Sequence, residues 1–251
     1  MKRLLVIGIG AGDPDHLTMQ AVKALNRVDV FFLMDKGPAK HALVDLRRAI
    51  CERYIVDHTY RFIEAESPER QRGDLDYTRS VEALNRAKQA TFERLIDEEL
   101  SDGQCGGFLV WGDPSLYDST VRILQAILDS GRCAFEFEVI PGISSVQALA
   151  ARHKVPLNGI GGALEITTGR RLAKAQVGDG ASVVVMLDAQ DAYRQVSDPD
   201  THIYWGAYVG TPDEILIAGR LGEVADDIER TRKAARQANG WIMDTYLLRK
   251  P

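Results

Sequence analysis

The 251 residues carry 45% apolar and 27% charged side chains, with 22 glycines and 9 prolines. This is ordinary globular usage and excludes a disordered, collagenous or low-complexity chain; the length predicts one large or two small α/β domains with a full core. A net charge of −5 argues against a whole-surface nucleic-acid binder, while a local basic trough stays open.

Positions 4–9 form an apolar run ending in glycines, the pattern of a buried parallel strand. Lys2 and Arg3 before it look like the charged start of a signal peptide, but the apolar run is too short and breaks into glycines. Leu17, Ala21, Ala24 and Leu25 then recur at helical spacing. A second buried strand is predicted over 28–34, a helix over 41–50 and a short strand over 54–56. From 57 to 79 the texture turns polar, with Tyr60, Phe62 and Tyr77 interspersed, and reads as a long excursion. A helix over 81–100, a strand over 108–111, a helix over 121–128 and a strand over 135–140 follow. This alternation predicts a doubly wound, mostly parallel sheet.

After a helix over 145–151, the Gly- and Pro-rich segment 153–162 reads as the domain boundary, dividing 1–155 from 156–251. Strands are expected at 163–167, 182–187, 202–206, 215–219 and 241–247, with one good helix over 224–235. Strands crowded in this way predict a mixed, partly antiparallel sheet.

Cys51, Cys105 and Cys133 form no CxxC pair, so neither a disulfide framework nor a zinc knuckle is expected, and a reducing cytoplasm fits. The five histidines include no HExxH, so no metal site is expected. The longest apolar stretches are strand-length, so no membrane partner is expected either.

Three glycine-opened turns follow predicted strands: GIGAGDP from Gly8, GDPSLY from Gly112 and PGISS from Pro141. The first is not a dinucleotide fingerprint, because its third glycine falls at 12 and Asp13 would face a pyrophosphate at the helix N-terminus. It reads equally as a ligand rim or as a capped turn with no ligand. Strand-end turns of a parallel sheet point at one rim, and three of them favour a binding rim. The rim has no Walker lysine and no GxSxG elbow, and Ser144 lacks a flanking glycine. Backbone groups, small hydroxyls and carboxylates suit a sulfonium ligand such as S-adenosylmethionine (SAM), which lysines would repel.

GIGAGDPDHLT, GDPSLY and PGISS, in that order and spacing, resemble the tetrapyrrole (class III) SAM-dependent methyltransferases. VVVML at 183–187, Trp205-Gly206-Ala207 and the run from Ile217 to Gly222 resemble the family's later elements. The resemblance implies two α/β domains clasping a folded SAM, a substrate trough on the first domain, and a homodimer. FFLMDKG at 31–37 and the polar excursion resemble the branch that methylates C1 of precorrin-5 and releases acetate, giving precorrin-6A. Trp111, where relatives usually have glycine, and Arg220, where they usually have threonine, depart from the pattern.

The resemblance implies cofactor contacts at Gly10, Trp111, Gly112, Asp113, Leu116, Tyr117, Ser144, Ser145, Met186, Ala207 and Leu221, with S-adenosylhomocysteine as product. On the residues alone, Met186 reads as core filler and Asp113 equally as a cap. Asp35 ends a buried strand at the rim and is the expected base, with His41 behind it and Tyr117 orienting; an Asp there also reads as an ordinary turn residue. A polycarboxylate substrate asks for cations, and Lys36, Arg61, Arg72 and Arg170 are the candidates, although each alone reads as part of a solvated face. Two alternatives stand beside this: a relative of the same fold acting on another precorrin position, ribosomal RNA or a protein, and a SAM-binding module without catalysis.

Overall fold

The computed structural model describes residues 1–35, 41–68, 77–174 and 180–250. It holds two compact units, Met1–Gly10 with Pro14–Ile143 and Ala11–Asp13 with Ser144–Pro251.

In the first unit, β1 (Lys2–Gly8), β2 (Val30–Asp35), β3 (Arg61–Glu66), β4 (Cys105–Val110) and β5 (Phe135–Ile140) form a parallel sheet in the order β3-β2-β4-β1-β5. Helices α1 (Met19–Leu25), α2 (His41–Tyr54), α3 (Tyr77–Glu99) and α4 (Thr120–Ser130) cover both faces, as the alternation predicts. Successive side chains of β1 divide between two cores. Leu4 and Val6 pack with Phe92, Ile96, Leu124 and Ile127 of α3 and α4. Leu5 and Ile7 pack with Ala21, Leu25, Ile50 and Cys51 of α1 and α2.

Two expectations in this unit are corrected. The 57–79 excursion contains the edge strand β3 and the first residues of α3; Tyr60, just before β3, and Phe62, within it, pack against Phe31 with ring centroids 5.6 and 5.7 Å away. No strand forms at 54–56. There α2 ends, and the Asn26 amide clamps the exit by donating to Tyr54 O (2.8 Å) and accepting from Val56 N (2.9 Å).

The sheet opens at its carboxyl end. β2 pairs with β4 only over Val30–Phe32 against Gly106–Phe108, whereas its pairing with β3 continues to Asp35 opposite Glu66 and that of β1 with β4 continues to Gly8 opposite Val110.

The second unit contains α5 (Ser145–His153), β6 (Leu164–Thr168), α6 (Gly169–Leu172), β7 (Ser182–Met186), β8 (His202–Ala207), β9 (Ile215–Arg220), α7 (Leu221–Asn239) and β10 (Asp244–Arg249). Its sheet runs β6-β7-β10-β8-β9, parallel between β6 and β7 and antiparallel elsewhere, which is the expected mixed sheet. Helix α5 packs on β8 and β10, so it goes with this unit. The 153–162 segment, where composition placed the division, therefore lies inside the second unit. No helix among the described residues is long and apolar enough to cross a membrane.

Candidate active site

All five strands of the first sheet end at one edge, and the neighbours β1 and β4 send their chains in opposite directions: β1 leads past β4 to β2, and β4 leads past β1 to β5. A parallel sheet binds ligands outside the carboxyl ends of such a pair. The Gly8 and Gly112 turns stand there, and the Pro141 turn follows β5 beside them. Their backbones are in close contact. Gly112 N donates to Gly10 O at 2.8 Å, and a Cβ on Gly8 would stand 2.6 Å from Gly142 N and 2.9 Å from Gly112 O. Gly10 and Gly112 adopt φ of +82° and +70°, which side chains disfavour.

Asp113 is the tie between two of these turns. One carboxylate oxygen accepts from Gly142 N at 2.8 Å, and the other accepts from Ser115 N at 2.8 Å and from the Ser115 hydroxyl. Burial opposes its ionisation, but the bonds from the Ser115 side chain, Gly142 and the Ser115 backbone outweigh burial and hold the carboxyl below the usual range. The carboxylate therefore holds the rim together, which is the cap reading of this residue. Asp113→Ala should lose about 1 kcal/mol after solvent screening, or ~2–4 °C in melting temperature. Because the folded-state value is depressed, this contribution is complete above the unfolded-state value and disappears as pH falls through the folded one. Melting curves of parent and variant should differ at pH 7 and converge in strong acid.

Two residues beside these turns carry polar atoms without partners. Trp111 Nε1 and His16 Nδ1 are buried with no hydrogen-bond partner among the described residues, and His16 Cβ lies 2.6 Å from where a Gly10 Cβ would stand. Native interiors rarely leave such atoms unmatched, so they mark places for ligand or solvent. The glycine-lined rim and the orphaned polar atoms fit a ligand that approaches backbone closely.

Helix α2 bridges the opening in the sheet with two adjacent arginines, neither of which the sequence reading singled out. Arg48 reaches toward β3, pairing with Glu64 and lying 4.5 Å over the Phe62 ring. Arg47 reaches toward β4, its Nε donating to Leu109 O at 3.0 Å and its Nη1 to Leu43 O at 2.7 Å. Burial lowers the Arg47 pKa to about 10, with Asp118 opposing the shift from beyond ion-pair distance.

Tyr117 is exposed, with φ of +54°, a strained backbone for a side chain of this size. Leu116 N closes the same turn by donating to Asp113 O at 3.2 Å. Asp35 ends β2 at the rim edge, opposite Glu66; the side chains of Asp35 and His41, and the whole of Lys36 and Arg72, lie outside the described residues. Arg61 begins β3 and so stands at the opposite edge. There it binds Glu99 through Oε2 at 2.9 Å and the carbonyl at 2.7 Å, steadying the end of α3. The rim does not include it.

In the second unit, β6, β7 and β8 run in one direction and end at one edge with Thr168, Met186 and Ala207. Leu187 and Tyr208, the next residues of the last two, hold φ of +55° and +50°. A buried network holds the chain after Met186 in place. Tyr246 donates to Asp188 Oδ2 at 2.7 Å, Ala192 N donates to the same oxygen at 2.7 Å, and Arg232 binds Asp188 O. Arg232 also meets Asp191 at 3.1 Å and Asp244 at 2.9 Å, and the Trp205 indole donates to Asp244 at 3.0 Å. Burial pushes the Asp244 carboxyl up against the pull of Arg232. Ser144 caps α5, accepting from Val146 N at 3.1 Å, and Ser145 Oγ lies 3.1 Å from Thr245 Oγ1.

Leu221 is placed differently from expectation. β9 runs against β8, so Arg220 pairs with His202 and Leu221 N donates to Thr201 O, at the far edge from Ala207. Leu221 is a core residue, and Arg220 is exposed and paired with Glu223. Arg170 stands exposed on the single-turn α6 after β6.

The chain matches the model of the family described as Tetrapyrrole (Corrin/Porphyrin) Methylases over residues 3–225. It is 49% identical over 250 residues to a precorrin-6A synthase [deacetylating] of a Sinorhizobium species, covering 100% of this chain and 96% of that one. Among solved structures, a cobalamin-synthesis-related protein from Corynebacterium diphtheriae superposes with a TM-score of 0.85 at 34% identity, covering 100% of this chain and 99% of that one. A uroporphyrin-III C-methyltransferase from Thermus thermophilus, complexed with S-adenosylhomocysteine, shares the fold with a TM-score of 0.57 at 19% identity, over 98% of this chain and 96% of that one.

Proposed function

The chain belongs to the tetrapyrrole (corrin/porphyrin) methylases, and from that premise we propose that it transfers a methyl group from SAM to C1 of precorrin-5, releasing acetate and giving precorrin-6A. It is a methyltransferase of cobalamin biosynthesis, and the observation that carries this is the 49% identity running through both chains nearly end to end. Another precorrin position, a substrate such as ribosomal RNA or a protein, or a module that binds SAM without catalysis is not favoured by that identity.

When bound, SAM supplies an electrophilic methyl on a sulfonium. The residues of this chain place and activate the rest. In the first unit, Gly10, Trp111, Gly112, Leu116 and Tyr117 are proposed as cofactor contacts, with Asp113 holding their turns. In the second unit, Ser144, Ser145, Met186 and Ala207 are proposed; Leu221 is not carried forward. Lys36, Arg72 and Arg170 are proposed to meet substrate carboxylates, and Arg61 is not.

The reaction needs water to add to the acetyl carbon and the bond from that carbon to C1 to break. Its electron pair passes to C1, which takes the methyl as acetate leaves. Asp35 is proposed to accept the proton of that water, with His41 in reserve and Tyr117 orienting. Transfer itself requires in-line placement of carbon and methyl at about 3–3.5 Å. We propose that the enzyme works as a homodimer.

The test is incubation of the purified protein with precorrin-5 and methyl-labelled SAM, reading product mass and free acetate. Label in the tetrapyrrole with equimolar acetate supports the assignment. Label without acetate moves it to another ring position, and S-adenosylhomocysteine binding with no transfer would leave a binding module. A separate expectation concerns Gly112→Val. Its φ of +70° disfavours a β-branched side chain, and the added atoms would fill the rim. S-adenosylhomocysteine affinity, measured by isothermal titration, should fall at least tenfold while far-UV circular dichroism is unchanged. Equal affinity in the folded variant would show that this glycine serves only the chain.

A further inference from the structure

The two neighbouring arginines of α2 differ in one respect that bears on substrate recognition. Arg48 has its carboxylate, Glu64, and an aromatic ring beneath it. Arg47 has no carboxylate within ion-pair distance among the described residues, and its two bonds go to backbone carbonyls, Leu109 O and Leu43 O. A guanidinium carries five N–H donors, so most of this fork is unused. Two residues beyond Leu109, the Trp111 indole N–H is also buried without a partner. Both groups are donors, one is cationic, and Asp118, the carboxylate that acts on Arg47 among the described residues, stands beyond ion-pair distance.

Their place in the fold is specific. Arg47 reaches β4 where β2 has separated from it, beyond the last β2–β4 pair at Phe32 and Phe108. The other lip of that opening is the end of β2, which carries Asp35. The Pro141 turn lies on the far side of β1 from this opening.

We propose that the Arg47 guanidinium, assisted by the Trp111 indole N–H, is a carboxylate-binding subsite that takes an acidic side chain of the tetrapyrrole and sets it against the end of β2. Planar, two-point recognition of a carboxylate is what a guanidinium does best, and a half-buried cation held ready for an anion gains most when that anion arrives. A fold that keeps a half-buried charge without a directly paired counter-ion gives up stability to hold it, a common trait of binding sites. The proposal rests on the precorrin reading, since it needs an acidic substrate. The carboxylate of SAM offers the same chemistry, and the experiment separates the two sources.

Arg47→Met keeps the length of the side chain and its helix preference while removing charge and fork. Three quantities are read in the parent and the variant: KM and kcat for precorrin-5, affinity for S-adenosylhomocysteine, and binding of uroporphyrin as free acid and as methyl ester. KM for precorrin-5 should rise about 10- to 100-fold with kcat changed less than about threefold and S-adenosylhomocysteine affinity unchanged. Uroporphyrin acid should bind the parent better than the variant, and the ester should bind both alike. Arg47→Lys should fall between, because it retains the charge without the fork, and Trp111→Phe should raise KM by a smaller factor. The unliganded Arg47→Met protein should melt at the same temperature as the parent or higher.

Equal KM in parent and Arg47→Met would overturn the proposal. So would a loss confined to S-adenosylhomocysteine, which would give the subsite to the cofactor, or a fall in unliganded melting temperature beyond about 5 °C, which would make Arg47 a structural tie. If the parent itself neither turns over precorrin-5 nor binds uroporphyrin acid, the functional reading fails first, and that result is distinct from the others.

Discussion

Gly142→Ala should melt about 6–12 °C below the parent and bind no S-adenosylhomocysteine. A Cβ at this position would stand 2.1 Å from Gly112 O and 2.9 Å from the Gly8 backbone. These neighbours are main chain, so no rotamer change relieves the overlap. The ends of three adjacent strands must separate instead, breaking the Gly142 N bond to Asp113. Overpacking that moves backbone falls at the upper end of ~1–3 kcal/mol, and a chain of this size loses ~2–4 °C for each kcal/mol. Differential scanning calorimetry and isothermal titration together check it. A variant that melts with the parent would mean that the β1, β4 and β5 turns are not in close contact.

Asp35→Asn separates catalysis from binding. Asparagine keeps the size and much of the hydrogen bonding of aspartate but cannot take a proton. If Asp35 activates the water, tetrapyrrole and SAM should bind within a few-fold of the parent while turnover falls by ~10² or more, a barrier increase of ~2.7 kcal/mol. If Asp35 only shapes the turn after β2, asparagine replaces it well and the rate holds. A methylated product that keeps its acetyl group would confine Asp35 to the hydrolytic half. Parent-like rates of both methyl transfer and acetate release would transfer the role to His41.

The strand-end turns were legible in the sequence because glycine and proline mark them and because the strands before them are continuously apolar. β4 was legible only in its second half. Gly106 and Gly107 hide its start, yet packing demands them, since a Cβ on Gly106 would come within 2.8 Å of Leu100, Leu4 and Phe32. β3 was hidden for another reason: as an edge strand it is only partly covered, and Arg61, Glu64 and Glu66 give it the polarity of a loop. Arg61 looked like a substrate cation by its neighbourhood in sequence, but strand direction places it at the wrong edge. Leu221 failed likewise, because the antiparallel run of β9 cannot be read from its motif. Arg47 gave no local signal. Its significance comes from where β2 and β4 separate, a register property that only the assembled sheet reveals.

Ala11–Asp13 belong with the second unit although the chain on both sides of them belongs with the first. Gly12 lies against Val209, Gly210 and Thr211, and a Cβ there would come within 2.6 Å of Thr211 Cγ2. On the ribosome, at ~5–20 residues per second, Thr211 emerges on the order of 10–40 s after Gly12. For that interval the parallel sheet can assemble while the loop leaving Gly10 has no seat. A chain stalled or cleaved before Thr211 would therefore leave the Ala11–Asp13 loop without the residues it packs against. The last strands of the second sheet must be made before that loop can settle, so products truncated before Thr211 should be cut at 11–13 by proteases that spare the full chain.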